Sequence, residues 1–245
     1  MNAKVRFYDT YHQKNNKYHS VIRRNNFTYF YILQFLHSHD INRFGTMRKV
    51  LDIGCGVGTM SLYLASLGAE VTGIDISERA ISLSKDAQKS LGIKNVSFHH
   101  GDITAARGIF DLVICLEVIE HIEDDGKMLD EIRSHLKKGG RLFLSTPSRE
   151  NVLYTLGFYK KFDTEVGHCR RYTMDELHTL VSHHGFQVIA QKKVESPLRN
   201  ILFTTKLGFL IRFIKGPLIP LFHFFDMLLI PVFGASDLMI MAERT

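Results

Sequence analysis

Val50 to Thr59 runs Val-Leu-Asp-Ile-Gly-Cys-Gly-Val-Gly-Thr, an apolar strand followed by glycines at every second position, Gly54, Gly56 and Gly58. From Ser61 to Ser66 the pattern becomes helix-like. Glycine permits positive-φ turns and close approach of backbone to a bound molecule. The start of the next helix adds free N–H groups and a positive dipole end. The loop is therefore a ligand seat. In dinucleotide-binding loops the third glycine comes three residues after the second; here that place is Thr59, so the G-x-G-x-G spacing departs from that pattern.

Outward from the loop, Ala69 to Ile74 makes a second strand ending at Asp75, whose carboxylate can accept two hydrogen bonds from vicinal ribose hydroxyls. A third strand, Val96 to His100, ends in Gly101-Asp102-Ile103, and a fourth, Phe110 to Leu116, ends in Glu117. Counting Asp52, just inside the first strand, acids recur at the carboxyl ends of four strands, where open α/β sheets bind ligands. A single Asp there would be explained by helix capping; four in register with a glycine loop point to a site. Further on, a helix is expected over Lys127 to Leu136, stopped by Lys138-Gly139-Gly140, then a strand over Arg141 to Thr146. Thr173 and Glu176 form a capping box for a helix that stops at Gly185, and Phe186 to Val194 is a sixth strand. Alternating strands and helices predict a doubly wound sheet.

This ordered set resembles the class I S-adenosylmethionine-dependent methyltransferases over Arg48 to Val194, with a final strand near Leu238 to Glu243. The resemblance implies an α/β fold with a seven-stranded, mostly parallel, Rossmann-like sheet in one domain spanning residues 1–245. Within it, 1–46 would be an N-terminal helical lid, 47–195 the cofactor-binding core, 196–234 an apolar insertion and 235–245 the last strand. It also implies S-adenosylmethionine as cofactor. The cofactor would be held by Asp52, Gly54, Cys55, Gly56, Gly58, Asp75, Ile76, Asp102, Ile103, Leu116 and Glu117. Gly54 to Gly58 would meet its methionine part, Asp75 its ribose, and Asp102 with Ile103 its adenine. In the basic front segment, Tyr18, Arg23 or Arg24 would lie near the cofactor carboxylate, or would form a solvated face.

Glu117, Glu120 and His121 fall three and four apart, so on a helical turn they share a face. Carboxylates and an imidazole suit a divalent cation such as Mg2+. A similar E-x-x-E-H segment occurs in quinone-precursor O-methyltransferases and small-RNA 2′-O-methyltransferases, and that likeness adds His168 as a later ligand. The same segment can also simply pack the loop over the cofactor. Without a metal, His121 and His168 are the candidate catalytic bases, since imidazole titrates near neutral pH.

The chain has 245 residues, 45% of them apolar, enough for one full core. Three cysteines make no disulfide framework, and Met1 to Lys17 lacks an apolar run, so a cytoplasmic protein is expected. Net charge is +6, with nine Lys or Arg against two acids in the first fifty residues. Tyr154, Phe158, Tyr159 and Phe162 mark a substrate lid after the fifth strand. Ser196 to Gly234 is strongly apolar but broken by Lys206, Arg212, Lys215, Asp226, Pro217, Pro220 and Pro231, which disfavours a membrane span. Three roles are open for this insertion: a hydrophobic substrate lid, a homodimer interface, or a peripheral contact with an anionic membrane, although Arg199, Lys206, Arg212 and Lys215 do not fall on one narrow helical stripe. The expected partner is a small-molecule or lipid-like acceptor methylated on a hydroxyl oxygen: a quinone precursor, a lipid or a lipid-linked glycan. The alternatives are an RNA 2′-O-methyltransferase, which the absence of an RNA-binding module disfavours, and a non-catalytic cofactor-binding member of the fold.

Overall fold

The computed structural model describes residues 21–24, 26–39, 48–204 and 218–245, together with positions 209, 213, 214 and 216. Tyr18, Lys206, Arg212, Lys215 and Pro217, named in the sequence reading, lie outside the described residues. The first described helix, α1 (Phe30–His39), buries Tyr31, Leu33, Phe35 and Leu36. The strand β1 (Lys49–Ile53), α2 (Thr59–Ser66), β2 (Glu70–Asp75), α3 (Glu78–Leu91), β3 (Val96–His100) and β4 (Phe110–Leu116) follow. Then come α4 (Asp125–His135), β5 (Leu136–Pro147), α5 (Val152–Thr155), α6 (Lys160–Val166), α7 (Met174–His183) and β6 (Phe186–Val194). Two helices of the insertion, α8 (Pro197–Thr204) and α9 (Leu218–Phe233), precede β7 (Asp237–Arg244).

The strands form one seven-stranded sheet in the order β3-β2-β1-β4-β5-β7-β6. Every pairing is parallel except those of β7, which runs against both β5 and β6. The expected doubly wound, mostly parallel sheet is therefore present. Its central strands are buried on both faces, as parallel strands covered by helices must be. One core joins α1, α2 and α3 to the sheet through Leu33, Leu36, Leu62, Leu64, Ile81 and Phe143. The opposite core joins α4 and α7 through Leu129, Ile132, Leu177, Val181 and Leu144. Strand order reverses between β1 and β4, which opens the ligand crevice beyond their carboxyl ends.

The sixth strand and the Thr173–Glu176 capping box stand where expected. The fourth helix begins earlier than expected because Asp124 caps it, accepting from the Lys127 N–H. It also ends without help from Gly139 and Gly140. Leu136 turns the chain extended and already pairs with Phe110, so the fifth strand begins at Leu136, with a register irregularity before Arg141.

Candidate active site

The glycine loop has the expected geometry, and its neighbours say why only glycine fits. Gly54 has φ +67°, and a Cβ there would lie 2.4 Å from Val118 Cγ2. Gly58 has φ +81° and would bring a Cβ to 2.7 Å from the Phe98 ring. The Gly56 N–H donates to Asp75 Oδ2 at 2.8 Å, and the Ser77 N–H to Asp75 Oδ1 at 2.8 Å. Asp75 thus pins the loop to the end of β2.

Other expected cofactor residues occupy distinct positions. Asp52 is buried and accepts from Ser61 Oγ at 2.5 Å, tying β1 to α2 beneath the loop; burial pushes its carboxyl up to about 7. The Cys55 thiol is buried against Gly73, so only its backbone belongs to the loop surface. Ile76 is partly buried and its carbonyl accepts from His100 Nε2 at 3.1 Å. Exposed Asp102 caps a short 3-10 turn by accepting from the Thr104 N–H at 2.9 Å, and Ile103 is buried in the second core. Leu116 packs at the edge of the first core. Arg23 and Arg24 are exposed at the front end.

Past β4 the chain turns sharply. Glu117 has φ +57°, a left-handed conformation uncommon outside glycine, and Ile119–His121 forms a 3-10 turn. The expectation that Glu117, Glu120 and His121 share one helical face is not met, because this reversal separates Glu117 from the other two. Glu117 Oε1 accepts from Ser145 Oγ at 2.6 Å, and its carboxyl hydrogen-bonds to that of Asp237. Glu117 is open to solvent yet densely surrounded, as befits the floor of a cleft, and that burial raises its carboxyl.

Glu120, His121 and His168 do converge, each offering a ligand atom within 4.8 Å of the others. Glu120 is fully buried; Oε2 accepts from Thr146 Oγ1 at 3.0 Å, while Oε1 lies 3.8 Å from His121 Nε2 and 4.0 Å from His168 Nε2. Burial, then the charge of Glu117, pushes its carboxyl well above the usual range. One carboxylate oxygen and two imidazole nitrogens fit a borderline transition ion better than magnesium, which favours oxygen ligands. The four-residue magnesium site expected from the sequence is thus not the arrangement found, and no step below is routed through a metal.

Sequence reasoning missed the groups that orient this cluster. His168 Nδ1 lies 2.9 Å from Asp163 Oδ1, which makes that nitrogen the donor and leaves Nε2 facing Glu120. Asp163 is in turn clasped by Arg171, whose Nε and Nη2 donate at 3.0 and 2.7 Å. Burial alone would raise the Asp163 carboxyl, but His168 and Arg171 hold it below its ordinary value. The sequence signal was an acid five positions before the histidine, just past the aromatic lid that ends at Phe162, and an arginine three after it. Glu195 and Asp237 were also missed. Strand pairing sets Asp237 opposite Val194, so both carboxylates adjoin Glu117, and burial pushes Glu195 up to about 7.

One segment joins the loop to the cluster: Val118, beside Glu117 and just before the 3-10 turn of Ile119–His121, is the side chain against Gly54. The segment that packs on the glycine loop thus also carries Glu120 and His121 to His168, whose imidazole, oriented by Asp163, is suited to removing a proton from a bound nucleophile.

A family model described as a methyltransferase domain matches residues 28–191. The ubiquinone biosynthesis O-methyltransferase of Coxiella burnetii is 38% identical over 114 residues, 44% of this chain and 48% of that protein. That of Pseudomonas aeruginosa is 39% identical over 113 residues, 44% of this chain and 47% of that one. The chain spans about half the length of the curated relatives it matches. Among solved structures, the magnesium protoporphyrin IX methyltransferase of Synechocystis PCC 6803 with bound SAH aligns with a TM-score of 0.62 at 20% identity, covering 100% of this chain and 96% of that one.

Proposed function

The chain belongs to the methyltransferase-domain family, and from that premise we propose that it moves a methyl group from S-adenosylmethionine to a hydroxyl oxygen of a small amphipathic acceptor: a quinone precursor, a lipid or a lipid-linked glycan. The bound cofactor supplies an already activated methyl on its sulfonium. The residues Gly54 to Gly58 seat it, and Asp75 is placed for vicinal hydroxyls. The observation that carries the oxygen chemistry is the Asp163–His168 pair, 2.9 Å apart. His168 Nε2 takes the hydroxyl proton, Nδ1 keeps its bond to Asp163, and the carboxylate steadies the imidazolium that forms. His121, its ring centroid 4.7 Å from that of His168, closes one side of the site. The partial identity to two O-methyltransferases supports an oxygen nucleophile.

Labelled methyl from S-adenosylmethionine, offered to an extract then split into lipid, small-molecule and RNA fractions, tests the reading. Label is expected in the lipid or small-molecule fraction as a methyl ether, with or without EDTA. Label in RNA or on nitrogen overturns the acceptor assignment, and loss of all transfer in EDTA restores the metal.

A further inference from the structure

The chain between β5 and α7 folds into two helices that have no core of their own. Helices α5 and α6 are four and seven residues long and bury none of them, and Leu156 and Phe158, which lie between, are 65% and 68% exposed. Helices this short are unstable by themselves. Their order comes from contacts that reach them from outside.

The main contact is Arg171. Its own segment is fixed to the sheet: Tyr172 bridges to Ser148 at the end of β5, and the Tyr172 hydroxyl donates to Asp125 Oδ2 at 2.8 Å. From this post the buried guanidinium grips α6 through Asp163, with Nε donating to both carboxylate oxygens at 3.0 Å and Nη2 to Oδ1 at 2.7 Å. Its flat face lies over the ring of Tyr159, the residue that precedes α6, at 4.4 Å, with Tyr154 of α5 at 5.8 Å. Tyr159 is buried, and its hydroxyl accepts from Asn200 Nδ2 of α8 at 3.0 Å. Among the described residues, Asp163 and Tyr159 carry the side-chain hydrogen bonds that α6 and its cap make to other segments. Arg171 holds both.

The same carboxylate faces the imidazole. Asp163 Oδ1, which takes Nη2 of Arg171, also lies 2.9 Å from His168 Nδ1, and the Phe162 ring meets the His168 ring edge-on at 5.8 Å. What shuts these helices over the site therefore also sets the partner of His168. We propose that Arg171 is a positioning residue that latches α5 and α6 shut as a lid, so that Asp163 orients the His168 imidazole only while the lid is closed. The effect of the latch on turnover rests on the function proposed above; its effect on the lid and on the imidazole does not.

The test uses the full chain labelled with ¹⁵N-histidine, at alkaline pH where imidazoles are neutral. Thirteen histidines are present, so the His168 signals are identified by their loss in His168→Gln. The native chain should show the proton on Nδ1, and Arg171→Gln should move it toward Nε2. Hydrogen exchange at the Asp163, Gly167 and His168 amides, which bond within this segment, should quicken on the order of tenfold in the same variant, with cofactor affinity by calorimetry unchanged. Arg171→Lys keeps the cation without the fork, so it should give a smaller change in the same direction, and it carries the test if the glutamine variant does not fold. Labelled-methyl transfer into the lipid and small-molecule fractions, at saturating cofactor, should slow about tenfold in Arg171→Gln and about threefold in Arg171→Lys. A native tautomer or native exchange in both variants would overturn the latch. A shifted tautomer and faster exchange with an unchanged transfer rate would keep the latch and remove His168 as the base.

Discussion

The two ends of the crevice are assembled from different kinds of neighbour. On the cofactor side, Gly54, Gly56 and Gly58 are set by local spacing, and the long links, the Gly56 N–H to Asp75 and the Cys55 N–H to the Ile74 carbonyl, join the ends of paired strands. On the acceptor side, Glu120 meets His168 through bonds between two distant loops: the Cys169 N–H donates to the Glu120 carbonyl at 2.7 Å, and His121 Nδ1 lies 3.2 Å from the Gly167 carbonyl oxygen. The first region fixes where backbone can go. The second fixes which nitrogen of the His168 imidazole faces Glu120. Damage to the first should therefore appear in cofactor affinity, and damage to the second in turnover.

The largest expected effect tests the acceptor side. His168→Ala should lower kcat by about 10²- to 10⁴-fold, with cofactor affinity by calorimetry within about twofold of the native chain. Asp163→Asn should cost less, about tenfold in kcat, and shift the pH–rate profile, because it changes the partner of Nδ1 without removing Nε2. If either change weakened cofactor binding as strongly as turnover, the division between the two regions would fail.

The cofactor side is tested by Gly54→Ala. The new methyl group would combine a positive φ with a 2.4 Å approach to Val118 Cγ2, about 2–4 kcal/mol of strain. Cofactor affinity should fall about a hundredfold, and Val118→Ala in the same chain should restore part of it by opening space. Equal losses in the single and double variants would assign the effect to φ alone.

These regions differed equally in what the sequence disclosed. Glycine spacing and Asp75 were visible because the relevant geometry is local. The capping box at Thr173 and Glu176 was visible for the same reason. Asp163 lay unnoticed in an aromatic stretch, and Glu195 and Asp237 meet only through the β5-β7-β6 strand order, which reverses near the chain end. Glu117 misled because helical spacing was assumed where the backbone turns left-handed. The apolar run of α9 left its partner open on hydropathy alone; which face it buries depends on contacts such as that of Asp226 with Tyr31, 195 residues away.

A smaller effect concerns Asp52, buried beneath the loop. Its carboxyl ordinarily titrates at 3.8 and is pushed up to about 7 in the fold. Between those values the folded chain holds a proton that the unfolded chain has released, so stability falls as pH rises through this window and levels above about pH 7. The difference between pH 5 and pH 8 from this group should be about 1–3 kcal/mol, measured by denaturant unfolding. Asp52→Asn should flatten that slope while keeping an acceptor for Ser61. A slope unchanged in the variant would place the pH dependence elsewhere, with the carboxylates around Glu117 as the next candidates.

The smallest effect separates the faces of α9. Leu228→Ser removes an apolar side chain already 56% exposed, so unfolding free energy should change by no more than about 0.5 kcal/mol. Two residues away, Asp226→Ala strips the partner of Tyr31 and Ser196 from a fully buried position and should cost about 2–4 kcal/mol. An ordinary amphipathic helix gives the opposite order, with the leucine expensive and the aspartate cheap. A large loss for Leu228→Ser in the isolated chain would mean that another surface of the protein covers the exposed apolar stripe of α9 in solution. A negligible loss means that water is what meets the stripe in the isolated chain.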